Sequence, residues 1–154
     1  MSLKEIQDIR TLENGARFWE FGKKMLAIAA RYKHDITVAI MSVDDPDQAD
    51  AHVMDLLRDI GISTMRTSDM IAGYGNAGFI FVLPETIPEG GVIFAKRLKT
   101  AINGSLPKVS VGVTGWTPNV VVPQFNAIVE RAAAALREAQ SSGGNKVEWF
   151  DLAQ

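Results

Sequence analysis

The sequence has no cysteine, which excludes disulfides, thiolate metal ligands and a cysteine nucleophile. It has no apolar run long enough to cross a bilayer and no signal-peptide pattern at its start. The expectation is therefore a cytoplasmic segment without membrane insertion. A strong charge of either sign is also missing, because 16 basic against 18 acidic residues leave a formal net charge of −2. That balance attracts neither nucleic acid nor an acidic membrane surface, so an anionic ligand would have to be held by a few local arginines. Histidine is scarce: His34 and His52 lie far apart with no ligand spacing around either, and both read as surface or satisfied side chains. Repeats, linkers and low-complexity stretches are absent too. What is present is a chain of 154 residues, 47% of them hydrophobic, enough for one domain (1–154) around one sizeable core. It opens directly into a helical pattern, which suits a domain of a longer protein.

Phe18, Phe21, Met25, Ala29 and Tyr32 recur at helical spacing, predicting an amphipathic helix over 14–32. Ile36 to Val43 is apolar and rich in β-branched residues, a buried strand closed by Asp44-Asp45-Pro46. Val53, Leu56, Leu57 and Ile60 mark a second helix, with Asp47 as its N-cap and Gly61 as its stop. Strands over 70–74 and 79–83 flank Gly75-Asn76-Ala77-Gly78, where Gly and Asn supply the positive φ angles of a tight hairpin. A third helix begins near Pro88, with Phe94, Leu98 and Ile102 on one side, and Val109–Thr114 is a further strand. Phe125, Ile128, Val129, Ala132, Leu136 and Ala139 give a fourth helix, and a Ser-Ser-Gly-Gly turn leads to a last strand over Lys146–Phe150. This order predicts an α+β fold: a central, mostly antiparallel five-stranded sheet flanked by helices in the ferredoxin-like manner.

Several local signals read more simply than they first look. Asp44, Asp45, Asp47 and Asp50 suggest a calcium loop, but Pro46 interrupts the spacing and the glycine and closing Glu of such a loop are missing. A solvated turn and a helix N-cap account for them. Gly143-Gly144 has no strand-to-helix context and reads as a helix-ending turn rather than a phosphate loop. The methionines are dispersed core filling, and Trp19, Trp116 and Trp149 are packing anchors whose exposure would point to an interface.

Arg66-Thr-Ser-Asp69, five intervening residues, Gly75-Asn-Ala-Gly-Phe79 and an apolar run ending Leu83-Pro84-Glu-Thr86 resemble the GGDEF family of bacterial diguanylate cyclases. Three more stretches fall in the family's order. Leu12-Glu-Asn14-Gly-Ala-Arg-Phe18 resembles its first-helix motif, Val109-Ser-Val-Gly-Val113 its V-S-I-G-V strand, and Ala132 to Val147 its C-terminal helix and turn. The resemblance spans nearly the whole chain and implies the nucleotide-cyclase-like palm.

The family joins two GTP molecules with help from Mg²⁺, which needs carboxylate oxygens. The resemblance places those carboxylates at the first Asp of a D-x-D and at the acidic pair inside GGDEF. Here the first position is Ser42, the acidic pair is Ala77 and Gly78, and Asn76 replaces the second glycine. Only the second Asp survives, as Asp44, while Gln140 and Gly144 replace the Lys and Arg that approach the triphosphate. Between Ser42 and Asp69 the chain is shorter than the family by roughly two helical turns, and an Asn that reads guanine goes with the missing part. Asp50 or Asp55 remains open as a substitute for the guanine-binding Asp. The resemblance thus implies a degenerate, catalytically inactive domain with no metal and no cofactor.

It also implies a site that is kept. Arg66 and Asp69 stand at the spacing of the family's product-inhibition site, which takes an intercalated dimer of cyclic di-GMP, and Arg97 falls at the place of a third contributor. Arginine can fork to guanine O6 and N7 or to phosphate, and aspartate accepts from guanine N–H groups. The plainer reading is a local Arg66–Asp69 pair worth about 0–1 kcal/mol, with Arg97 solvated beside Lys96 and Lys99. The expected function is a cyclic di-GMP receptor that signals through attached or partner domains, with a homodimer among the expected arrangements and no nucleic acid. The alternatives are a ligand-free interaction or dimerisation module and, last, a residual cyclase relying on Asp44.

Overall fold

The computed structural model describes residues 15–152. Leu12 and Asn14 of the first-helix motif, and the expected helix start at 14, lie outside the described residues. The elements are α1 (Gly15–Tyr32), β1 (Ile36–Val43), α2 (Ala51–Thr64), β2 (Met70–Tyr74), β3 (Gly78–Pro84), α3 (Pro88–Ala101), β4 (Val109–Trp116), α4 (Phe125–Ser141) and β5 (Val147–Trp149), with a short 3-10 turn over Pro46–Gln48. The five strands form one sheet in the order β2-β3-β1-β4-β5. All neighbours are antiparallel except β4 and β5, which run parallel on either side of α4. The expected α+β architecture is the observed one.

β1 is central, and the period of two along a strand sends its side chains to two different cores. Ile36, Val38 and Ile40 pack under α1 and α4, with Phe18, Trp19, Phe125 and Trp116. Ala39, Met41 and Val43 pack under α2 and α3, with Leu57, Phe81, Phe94 and Leu98. On the first side, Phe125 lies so close to α1 that a Cβ at Gly22 would run into its ring. Phe125 also meets Trp19 edge-on at a ring separation of 5.5 Å. On the same side, α4 approaches β4 closely enough that a Cβ at Gly112 would meet backbone atoms of Ala132 and Leu136.

Four local expectations are corrected. Gly61 does not end α2, which continues to Thr64; a Cβ at Gly61 would lie 3.0 Å from Phe81 Cζ and 3.1 Å from Ile71 Cδ1. The glycine is there for helix-on-sheet contact, not as a stop. The N-cap of α2 is Asp50, whose Oδ1 accepts from Val53 N–H at 2.8 Å, whereas Asp47 sits inside the 3-10 turn capped by Asp45. In the hairpin only Gly75 has a positive φ, of 58°; Asn76 does not share it. The last strand is shorter than expected, and Trp149 on it is 45% exposed while Trp19 and Trp116 are buried. No helix among the described residues is long and apolar enough to cross a membrane.

Candidate functional site

β3 has a chemically distinct site at each end. At its C-terminal end, Thr64, Arg66, Asp69, the Leu83–Ile87 segment and one face of α3 enclose an open cleft of about 290 Å³, also lined by Gly90, Ile93, Phe94 and Arg97. Asp69 orders the turn into β2. Its Oδ2 accepts from the Arg66 backbone N–H at 2.8 Å, its own N–H donates to Arg66 O at 3.0 Å, and its side chain is 2% exposed. The Arg66 guanidinium then folds back over it. Nη2 donates to Asp69 Oδ1 at 3.2 Å, to Pro84 O at 2.6 Å and to Thr86 Oγ1 at 2.6 Å. Thr86 in turn donates to Pro84 O at 2.9 Å. The Arg66 side chain still remains 55% exposed. Arg97, on α3, is exposed and has no hydrogen bond or ion pair among the described residues. Glu85 also borders the cleft, with its carboxylate 3.0 Å from His34 Nδ1.

At the other end of β3, the resemblance put the acidic pair at Ala77 and Gly78. Gly78 pairs with Ser42 in the β1–β3 ladder. A Cβ built on Gly78 would collide with Met41 O and lie 3.2 Å from Tyr74 O and 3.3 Å from Ser42 Cα. Backbone on both sides leaves that position no room for any side chain. Ser42 Oγ is 3.3 Å from Val43 O and 3.4 Å from Ala77 O, donating to the local backbone.

Asp44 acts here as a clasp. Its Oδ1 accepts from Ser110 Oγ at 2.7 Å and its Oδ2 from Asn145 N–H at 2.7 Å. It thereby ties the end of β1 to β4 and to the turn after α4. That turn ends α4 with Gly144 N–H donating to Ala139 O at 2.9 Å and Gly143 N–H to Gln140 O at 3.4 Å, the paired bonds of a Schellman motif. Gly144 has φ 73° and would press a Cβ within 2.9 Å of Asp44 Oδ2, so two constraints favour glycine there. Lys99 Nζ reaches the same cluster, donating to Asn145 Oδ1 at 2.5 Å and Val109 O at 3.2 Å. Burial holds its pKa below the ordinary value, with Lys108 adding to the fall and the Asp44 carboxylate opposing it. Among the described residues no three His, Asp or Glu side chains gather as a set that could hold a metal ion.

Solved structures with the same architecture are GGDEF domains. The active GGEEF domain of a diguanylate cyclase from Vibrio cholerae superposes with a TM-score of 0.78 at 17% identity, covering 88% of this chain and 95% of that one. The fold is that of a GGDEF domain. The GGDEF domain of DgcB from Caulobacter crescentus, in complex with c-di-GMP, gives 0.75 at 16% identity over 86% and 85% of the two chains. Diguanylate cyclase SiaD from Pseudomonas aeruginosa, in complex with its activator SiaC, gives 0.77 at 22% identity, with 96% of this chain matching 64% of that one. No protein-family model matches the chain, and no curated protein matches it in sequence.

On this GGDEF fold the structure brings Arg66, Asp69 and Arg97 to one cleft. It separates them from Asp44, Gln140 and Gly144, which meet around the turn after α4. Asp50 caps α2, and Asp55 on the same helix lies 3.9 Å from Arg58 Nη2. The sequence reading missed the role of Thr86, which entered it only as the end of Leu-Pro-x-Thr. It also missed Ile87 and Ile93, which line the cleft while 50% and 53% exposed. Their signal was available as large aliphatics lying off the Phe94–Leu98 face of α3.

Proposed function

We propose that the chain is a catalytically inactive GGDEF-fold module that binds cyclic di-GMP in the Arg66–Arg97 cleft and acts as a receptor. One observation carries this reading: Arg66, Asp69 and Arg97, drawn from two separate segments, line a single open cleft. Two guanidinium groups there can fork to guanine edges or phosphate oxygens. Asp69 has both carboxylate oxygens engaged by Arg66, so its part is to fix Arg66 rather than to meet the ligand first. Ligand binding would favour one arrangement of this domain against an attached or partner domain. Loss of synthesis is supported by the absence of side-chain room at Gly78 and by the commitment of Asp44 to Ser110 and Asn145. Without carboxylates for a cation, the main stabilisation of phosphoryl transfer is missing. Isothermal titration with cyclic di-GMP tests the reading: heat that disappears in Arg66→Ala supports it, and no heat at micromolar protein refutes it. Incubation with GTP and Mg²⁺ is expected to release no pyrophosphate.

A second reading is favoured by a specific feature. Arg66 Nη2 is already satisfied by three protein acceptors, as in a structural arginine of a ligand-free interaction module. That reading requires self-association or a protein partner in sedimentation and pulldown, together with a silent titration.

A further inference from the structure

The face of α3 that borders the cleft runs through Ile87, Gly90, Ile93, Phe94 and Arg97, positions three or four apart on one side of a helix. Phe94 and Leu98 supply the core contact of this helix. Ile87 and Ile93 do not, and stand half in water. Gly90 lies between them and presents no side chain, so the stripe is flat at its middle. The cleft therefore combines an aliphatic shelf with two guanidinium groups, Arg66 on one wall and Arg97 at the end of the shelf. An inorganic anion has no use for the shelf, and an apolar peptide has no use for the arginine pair. A purine nucleotide uses both, because its ring system has a face that covers apolar surface and its phosphates pair with guanidinium. The cleft volume of about 290 Å³ matches one nucleotide laid flat, at the low end of ligand clefts.

We propose that Ile87, Gly90 and Ile93 form a base-binding shelf, over which a purine ring lies while Arg66 and Arg97 take the phosphate or the polar edge of the base. The assignment rests on the receptor reading above and extends it from the arginines to the base. Titrating the full chain with cyclic di-GMP and with guanosine monophosphate tests it in three variants. Ile93→Ala removes aliphatic surface from an exposed position and should weaken nucleotide binding about three- to tenfold, with the salt dependence of the wild type. Ile93→Phe should restore or tighten binding, since aromatic rings stack on any base. Arg97→Ala should weaken binding and flatten its salt dependence.

Unchanged affinity in Ile93→Ala with wild-type binding of cyclic di-GMP overturns the shelf and leaves the receptor reading standing. Binding of the mononucleotide alone, lost in Ile93→Ala, upholds the shelf and overturns the cyclic di-GMP reading. A wild type that takes neither nucleotide overturns both. A change in sedimentation without a change in affinity assigns the isoleucines to a second copy of the chain and overturns the shelf.

Discussion

At the Gly78 end of β3 the Ser42 hydroxyl and the Asp44 carboxylate are spent on the protein itself, whereas at the Pro84 end two guanidinium groups still face water. The contrast is sharpest between the two aspartates. Asp44 and Asp69 both use their two carboxylate oxygens on internal donors. Asp44 ties its site together, accepting from a backbone N–H and from a serine hydroxyl. Asp69 opens its site, since the group it orders is an arginine with a side chain 55% exposed. A carboxylate with both oxygens engaged can thus tie elements together or hold an exposed partner in place, depending on what its donors belong to. The sheet supplies the same backbone to both ends, and the difference lies in what the side chains leave over.

The strongest way to break this contrast is to introduce an acidic residue at Gly78. Gly78→Glu forces a side chain against Met41 O across the β1–β3 ladder, an overpacking that costs about 1–3 kcal/mol or more. Urea melts should show that loss, with no GTP turnover gained. Recovered turnover with Mg²⁺ would show the Gly78 end to be open after all. Asp44→Ala comes next. It strands the Asn145 N–H and Ser110 Oγ and should cost about 1–3 kcal/mol. Arg97→Ala, at an exposed position without partners among the described residues, should stay within about 0.5 kcal/mol. Similar losses in the two would erase the distinction between a clasp and a site. An effect between these two is expected from Thr86→Val, which removes one of three acceptors of Arg66 Nη2. Stability should fall by about 1 kcal/mol, while cyclic di-GMP affinity falls because Arg66 must be ordered on binding; Thr86→Ser should recover both.

The elements were legible because apolar spacing in this chain is regular. The continuous apolar, β-branched run along Ile36–Val43 and the helical stripe through Phe125–Ala139 leave few other folds, and both match the observed strand and helix core. Close approach was not legible. Gly61 reads as a helix stop until Phe81 is seen against it, and nothing local in the sequence shows that Met41 O crowds Gly78. Asp44 reads as a remnant for the same reason, because Ser110 and Asn145 are 66 and 101 residues away along the chain. The Arg66–Asp69 pairing could be read, being local, but the reach of Arg66 to Thr86 depends on how β2 pairs with β3.

The smallest expected effect tests whether the clasp at the Gly78 end is one electrostatic unit. Lys99 has its pKa held below the ordinary 10.5, first by burial, with the Lys108 charge lowering it further and the Asp44 carboxylate raising it. Removing the negative charge in Asp44→Asn should therefore move the Lys99 pKa down, and removing the positive charge in Lys108→Gln should move it up. The sign carries into stability. Between the lowered folded value and 10.5 the unfolded chain binds more protons, so the Lys99 contribution to stability rises with pH through that window. Asp44→Asn widens the window and Lys108→Gln narrows it. Titrating Lys99 by its side-chain carbon resonances would read the shifts directly. A downward move in the first variant and an upward move in the second identify Asp44, Lys99 and Lys108 as a coupled set that has absorbed the charge at this end of the sheet. An unmoved Lys99 in Asp44→Asn would confine Asp44 to its two hydrogen bonds.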